Sequence, residues 1–89
     1  MLLAKIESIV RERRPSREKA SAIWLNTVLG DRANHEIAFY LFERSGKRSG
    51  NGFYRSPEER FSELLSRSKR GDNAANREAI QILTDCLGT

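Results

Sequence analysis

The fold is decided by the stretch Ile37-Ala38-Phe39-Tyr40-Leu41-Phe42, the densest run of large apolar residues in the chain. It lies near the middle of the 89 residues and holds three of the six phenylalanine and tyrosine residues. The spacing predicts a helix over residues 32–43 with apolar side chains on two of its sides. A helix that is apolar over so much of its surface must be buried, so we expect the other helices to pack around it.

Four further helices are predicted from apolar residues that recur at helical spacing elsewhere in the chain. They cover about residues 2–14, 17–29, 57–70 and 74–87. No segment shows the pattern of a strand. The sequence therefore predicts an all-α fold, a compact bundle of about five short helices that forms a single domain over residues 1–89.

Turn and capping residues predict where the helices begin and end. Pro15 ends the first helix because it cannot donate into the backbone ladder, and Ser16 is expected to cap the second. Gly30-Asp31 and Gly71-Asp72 each predict a left-handed glycine stop followed by a capping aspartate. Ser56-Pro57-Glu58-Glu59 predicts the start of the fourth helix, with a serine cap and a proline at the first helical position.

A glycine-rich basic loop is expected between helices three and four, over about residues 45–56. Ser45-Gly46 is expected to end helix three. Three glycines fall within residues 46–52, where no large apolar side chain occurs. This composition favours a flexible surface segment.

Composition favours a binding surface over an enclosed active site. A chain this short buries only about 60–65% of the surface that its unfolded form exposes. The 38% of apolar residues leave little room for both a core and a substrate cavity. No set of nucleophile, base and orienting group can be assembled from the spacing, and there is no cofactor motif. We therefore expect no enzyme activity and no cofactor.

The single cysteine and the single histidine each suggest a structural role. Cys86 alone cannot form an intrachain disulfide or a cysteine zinc site, which fits a reducing cytoplasm. We expect it to be a buried, inert thiol. His35 alone makes neither a metal site nor a catalytic triad, and we expect a partly buried helix residue. At the N-terminus, Lys5 and Glu7 interrupt the apolar residues, so no signal peptide or membrane span is expected there, and the chain is predicted to be cytoplasmic.

The net charge of +4 is unevenly distributed along the chain. Residues 1–30 contain six basic side chains against three acidic ones, and residues 46–56 contain three basic and no acidic ones. Residues 31–45 and 57–89 each carry one more acidic than basic side chain. An anionic partner is therefore expected to contact the first two helices and the loop.

Two groups of residues in these regions are candidates for contact with a nucleic-acid backbone, one at the junction of the first two helices and one in the loop. Basic side chains neutralise phosphates, aromatic rings stack on bases, and glycines allow close backbone approach. Lys19 is a further basic residue at the junction. The candidates are Arg11, Arg13, Arg14, Arg17, Lys47, Arg48, Phe53, Tyr54 and Arg55.

Each group also has a purely structural interpretation. The arginine run is typical of a solvated face and is diluted by Glu12 and Glu18. Phe53 and Tyr54 would, on this interpretation, simply pack against the bundle. The two groups reinforce each other only if they share one face of the protein.

We therefore expect a small, basic, non-catalytic protein that binds nucleic-acid backbone without reading its sequence, alone or as an accessory subunit of a nucleoprotein complex. The alternative is a protein–protein interaction module, such as an adaptor, inhibitor or regulator, that binds an acidic protein partner. Phosphate binding falls steeply with salt, whereas an interface anchored by aromatic residues responds much less.

Self-association is a third possibility. The second and third helices have wider apolar faces than four short neighbours need to cover. In the second helix, Leu25 and Leu29 widen a face that already holds Ile23 and Trp24. We expect so broad a face to be buried against more than one neighbour. Apolar surface that the other helices leave uncovered is typical of an interface.

Overall fold

The computed structural model describes residues 2–49 and 56–88; for residue 2 and residues 46–49 it describes the backbone alone. Every element in these residues is a helix, which confirms the all-α prediction. The bundle is compact, with principal extents of 32, 27 and 23 Å. The helices are α1 (Leu2–Arg11), α2 (Ser16–Val28), α3 (Arg32–Ser49), α4 (Pro57–Lys69) and α5 (Asn73–Leu87).

Trp24 of α2 lies at the centre of the core and contacts three other helices. Its side chain has no exposed surface. It stacks on Phe42 of α3 with ring centroids 5.8 Å apart, and it meets Phe61 of α4 edge-on at 5.9 Å. The indole N–H donates to Ser68 Oγ at 3.2 Å and to Asn76 Oδ1 at 3.0 Å. Because a buried indole N–H needs a partner, these bonds help to fix α4 and α5 against α2.

The central position predicted for the aromatic stretch is confirmed. Four of its side chains are buried, those of Ile37, Ala38, Leu41 and Phe42. Its helix, α3, packs against α2, α4 and α5 and also contacts α1. The stretch therefore joins all the helices into one core.

Both Gly-Asp junctions have the geometry that the sequence predicts. Gly30 has φ of 97° and Gly71 has φ of 90°, the left-handed conformation that ends a helix. The Asp31 N–H donates to the carbonyl of Asn26 at 3.0 Å, and the matching bond after Gly71 is also 3.0 Å. Asp31 and Asp72 then accept from backbone N–H groups of the next helix at 3.2 and 3.0 Å. Both the stop and the cap are confirmed.

An ion pair reinforces the second junction. Arg67 Nε lies 2.8 Å from Asp72 Oδ2, and both side chains are about one-third exposed, at 33% and 35%. The hydrogen bond from Arg67 is the main cause that lowers the pKa of Asp72 below its ordinary value of 3.8. Backbone N–H groups of Ala75 and Ala74 lower this pKa further. The carboxylate therefore links the end of α4 to the start of α5.

The start of α4 also agrees with the prediction, whereas the start of α2 does not. Ser56 Oγ accepts from the Glu59 N–H at 3.1 Å. Ser16 was expected to cap α2 in the same way, and this is wrong: Pro15 is the capping residue and no side chain caps the helix. Pro15 has the extended conformation of a cap, so the chain enters the helix one residue earlier, at Ser16.

The predicted end of helix three is also wrong. The backbone of α3 continues through Ser45-Gly46 to Ser49. Among the described glycines only Gly30 and Gly71 have the positive φ of a left-handed helix stop. Gly46 instead remains helical at a cost of about 1 kcal/mol relative to alanine. The rest of the predicted loop, residues 50–55, lies outside the described residues.

Candidate nucleic-acid interface

Four arginines surround the turn between α1 and α2. We call Arg11, Arg13, Arg14 and Arg17 the basic corner. The helix α1 ends at Arg11, three residues earlier than predicted, and residues 12–14 form a bend. The carbonyl of Pro15 then accepts the first backbone hydrogen bonds of α2. This short bend places four guanidinium groups within seven consecutive residues.

All four side chains of the basic corner are exposed, but they are not equivalent. Arg14 is paired with Glu12, whose Oε2 lies 2.6 Å from Nη2 and 3.1 Å from Nε. Arg11, Arg13 and Arg17 have no ion-pair partner in residues 2–49 and 56–88. Three exposed guanidinium groups are therefore available to an anion, and the fourth is partly neutralised.

Lys19 does not belong to this exposed group. Only 4% of its surface is exposed, and its Nζ donates to the carbonyl of Val10 at 3.1 Å. The ammonium therefore caps the C-terminal end of α1, where carbonyl groups lack helical partners and a positive charge is favourable. The interpretation of Lys19 as a surface cation is wrong, because its side chain joins α1 to α2.

The loop candidates lie largely beyond what the structure describes. Lys47 and Arg48 belong to the last turn of α3, of which the backbone alone is described. Phe53, Tyr54 and Arg55 lie outside the described residues. Contact of these residues with a ligand, and a face shared with the basic corner, both stay predictions.

His35 and Cys86 differ from their predicted environments. His35 is exposed, with its ring edge-on to Phe61 at a centroid distance of 5.0 Å. Cys86 is half-buried, and its thiol donates to the carbonyl of Leu41 at 3.3 Å. In the described part of the chain, no three His, Cys, Asp or Glu residues lie close enough together to hold a metal ion.

A shallow groove runs along the outer face of α3, and sequence reasoning missed it. The groove has a volume of about 240 Å³. Its described lining residues occupy positions i, i+1, i+4, i+5 and i+8 of α3. These positions share one face of a helix, and the spacing can be read from the sequence. These residues are His35, Glu36, Phe39, Tyr40 and Glu43.

Two leucines predicted to be buried lie on the surface, Leu25 in α2 and Leu29 directly after this helix. Leu25 is 50% exposed and Leu29 is 82% exposed, whereas Ile23 and Trp24 are buried as expected. The helix does pack on several neighbours, α3, α4 and α5, but these cover a narrower face than predicted. The two leucines lie one turn apart and form a small apolar patch.

The comparisons with known proteins add no functional information. No protein-family model matches the chain, and no curated protein or solved structure matches it either. None of the helices in the described residues has the length and apolar character needed to cross a membrane. The function must therefore be inferred from the chemistry of the surface.

Proposed function

We propose that this protein is a small, non-catalytic nucleic-acid-binding protein that contacts the phosphate backbone through its basic corner, alone or as an accessory subunit of a nucleoprotein complex. The observation that carries the proposal is the exposure of Arg11, Arg13 and Arg17 without ion-pair partners in the described part of the chain. Guanidinium groups in this state bind phosphate oxygens in a bidentate manner.

The shape of the corner supports phosphate contact rather than base reading. The arginines lie at and beside a bend between two helices, and all four side chains are exposed. Reading a base sequence requires an element that enters a groove and presents side chains to base edges. An exposed group of arginines at a helix junction instead contacts phosphates, which gives affinity without sequence preference.

The test is fluorescence anisotropy with a labelled random-sequence single strand and duplex at two salt concentrations. The test variant replaces Arg11, Arg13 and Arg17 with alanine. Its matched control replaces Lys69, Arg70 and Arg77, which are exposed cations at another helix junction, so that both variants have the same net charge.

We expect the wild-type protein to bind more weakly as salt rises, because bound phosphates release counterions. The corner variant should bind about ten-fold more weakly at low salt, if each exposed ion pair contributes about 0.5 kcal/mol. Its slope of log affinity against log salt should be smaller by about two to three for duplex DNA. Equal losses in the corner and control variants, or no binding at low salt, would remove the proposal.

The contribution of the second group of basic candidates, at the end of α3 and in the segment that follows it, can be measured in the same assay. Replacing Lys47, Arg48 and Arg55 with alanine is expected to weaken binding while leaving the thermal stability nearly unchanged. A large loss of stability would contradict the assignment of these three residues to a contact surface.

A protein-binding module is the second candidate, and the exposed pair Leu25 and Leu29 favours it. Apolar groups at the centre of an interface exclude water and anchor a partner. An adaptor, inhibitor or regulator of this kind would bind an acidic protein, and its affinity would fall much less with salt than phosphate binding does. Its binding would be lost on replacing both leucines with serine and kept in the corner variant.

A further inference from the structure

We infer that the groove on α3 binds a basic, extended segment of a partner protein, with two cationic side chains three residues apart. This is a second surface with the opposite charge preference to the basic corner. The inference rests on the aromatic floor of the groove, its two exposed carboxylates and the distance between them, and it does not depend on nucleic-acid binding.

The floor of the groove is aromatic and is held rigidly by the core. Phe39 stacks on Phe61 with ring centroids 5.4 Å apart and an angle of 15° between the planes. Phe61 is only 4% exposed and packs edge-on against Phe42 at 5.2 Å. Because two successive rings fix Phe39 to the core, its position is set before any ligand arrives. A preorganised surface of this kind reduces the entropy that binding costs.

The charges in the groove select a cation. Glu36 and Glu43 are both exposed, and neither forms an ion pair within the described residues. They are seven residues apart, on the same face of α3, with Phe39 and Tyr40 between them. Aromatic faces attract cations and also cover apolar stems. Lysine and arginine side chains combine both properties, whereas an anion would be repelled by the carboxylates.

The spacing of the two carboxylates fits an extended basic segment. Seven residues of α-helix rise by about 10 Å. In a polyproline II conformation, which many unfolded segments adopt, residues i and i+3 point to the same side and are about 9 Å apart. One cation of such a segment would therefore lie near Glu36 and the second near Glu43, while the backbone between them crosses the aromatic rings.

The experiment uses a labelled peptide of Lys-Pro-Pro repeats, which places a cation at every third residue in this conformation. A Glu-Pro-Pro peptide is the charge control. The test variant is E36Q/E43Q, and the matched control is E63Q/E78Q, which removes two exposed carboxylates from α4 and α5. Affinity is measured by anisotropy, and the site is mapped by changes in backbone amide chemical shifts.

We expect the wild-type protein to bind the lysine peptide in spite of its own net charge of +4, with shift changes centred on residues 35–43 of α3. The variant E36Q/E43Q should bind about five-fold more weakly, since two exposed carboxylates contribute about 1 kcal/mol together. The control E63Q/E78Q should change the affinity by less than about two-fold, because its carboxylates lie outside the groove.

Three results would overturn the inference. One is absence of binding to the lysine peptide, and another is an equal loss of affinity in both double variants. The third is concentration-dependent self-association of the free protein that perturbs the same amides, because the occupant would then be a second copy of this chain. Each of these results leaves the test of the basic corner unaffected, since that test uses nucleic acid and different variants.

Discussion

The buried Lys19 offers a direct test of how the basic corner is held in place. Its ammonium donates to the Val10 carbonyl of α1, and α1 also contacts the core through Ile6 and the half-buried Ile9. Among the side chains of this helix that the structure describes, only that of Ile6 is buried, whereas Leu3 and Val10 are 59% and 49% exposed. Replacing Lys19 with methionine keeps the apolar stem of the side chain and removes the charged hydrogen bond.

The expected loss of stability in K19M is the difference between a hydrogen bond that is lost and apolar burial that is gained. A hydrogen bond to a charged group contributes about 1.5–3 kcal/mol. The Val10 carbonyl is at the end of a surface helix and can accept a bond from water, so the lower part of this range applies. Burying a methionine methyl group in place of the ammonium stabilises the folded state by about 0.5–1 kcal/mol. The variant K19M should therefore be less stable by about 1 kcal/mol, and its Tm should fall by about 4–8 °C.

The assay is thermal and urea unfolding followed by circular dichroism, with K69M as the control. Lys69 is exposed in the last turn of α4, so the control should change stability by less than about 0.5 kcal/mol. The variant K19M should also bind nucleic acid more weakly, because the end of α1 carries Arg11 of the basic corner. Equal or greater stability of K19M would refute the reasoning, since it would mean that desolvation of the ammonium outweighs its hydrogen bond.

Two further predictions concern the Gly-Asp junctions. The lowered pKa of Asp72 contributes stability that is fully present above its unfolded value, near 3.8, and is lost as the pH falls through the lower folded value. Urea unfolding between pH 2 and pH 6 should therefore show a weaker pH dependence in D72N than in the wild type, and unchanged profiles would contradict the role of the Arg67 pair. Replacing Gly30 with alanine should cost about 1–2 kcal/mol from the left-handed backbone alone, because an added methyl group would have no neighbour within 4 Å. Asparagine at the same position should cost less, since it tolerates this conformation, and an alanine variant as stable as wild type would disprove the assignment.

Helix number, junctions and core were predictable because they depend on local rules. Gly30-Asp31 and Gly71-Asp72 combine the residue that best adopts positive φ with a residue that caps the next helix. Trp24 lies within an apolar face at helical spacing, and its size favoured burial. These signals use neighbours within a few residues, and no distant contact is needed to interpret them.

Side chains whose role depends on the rest of the fold were predicted less well. The residue type of Lys19 predicts a surface cation. Its position four residues before the buried Ile23, however, places it on the inner face of α2. Leu25 and Leu29 were assigned to the core because the number of helices covering α2 could not be counted from the sequence. Gly46 could equally end or continue a helix, because its φ depends on what the following residues contact.

The groove was missed for a related reason. The sequence places Glu36 and Glu43 on one face of α3, but this pattern alone is typical of any solvated helix. What makes the face a candidate site is Phe61 behind Phe39, a contact between residues of different helices. Such a contact becomes evident only when α3 and α4 are placed side by side.

Because of the environment of Trp24, the intrinsic fluorescence of the protein reports whether the helical bundle is folded. Trp24 is the only tryptophan, it has no exposed surface, and its N–H is bonded to two residues of neighbouring helices. Its emission should be shifted to the blue and resistant to iodide quenching while the bundle is intact. Phosphate or peptide bound at the surface should leave this emission unchanged, whereas separation of the helices should shift it to the red. One fluorescence spectrum recorded during each titration can therefore separate a variant that has lost a ligand contact from one that has lost its fold.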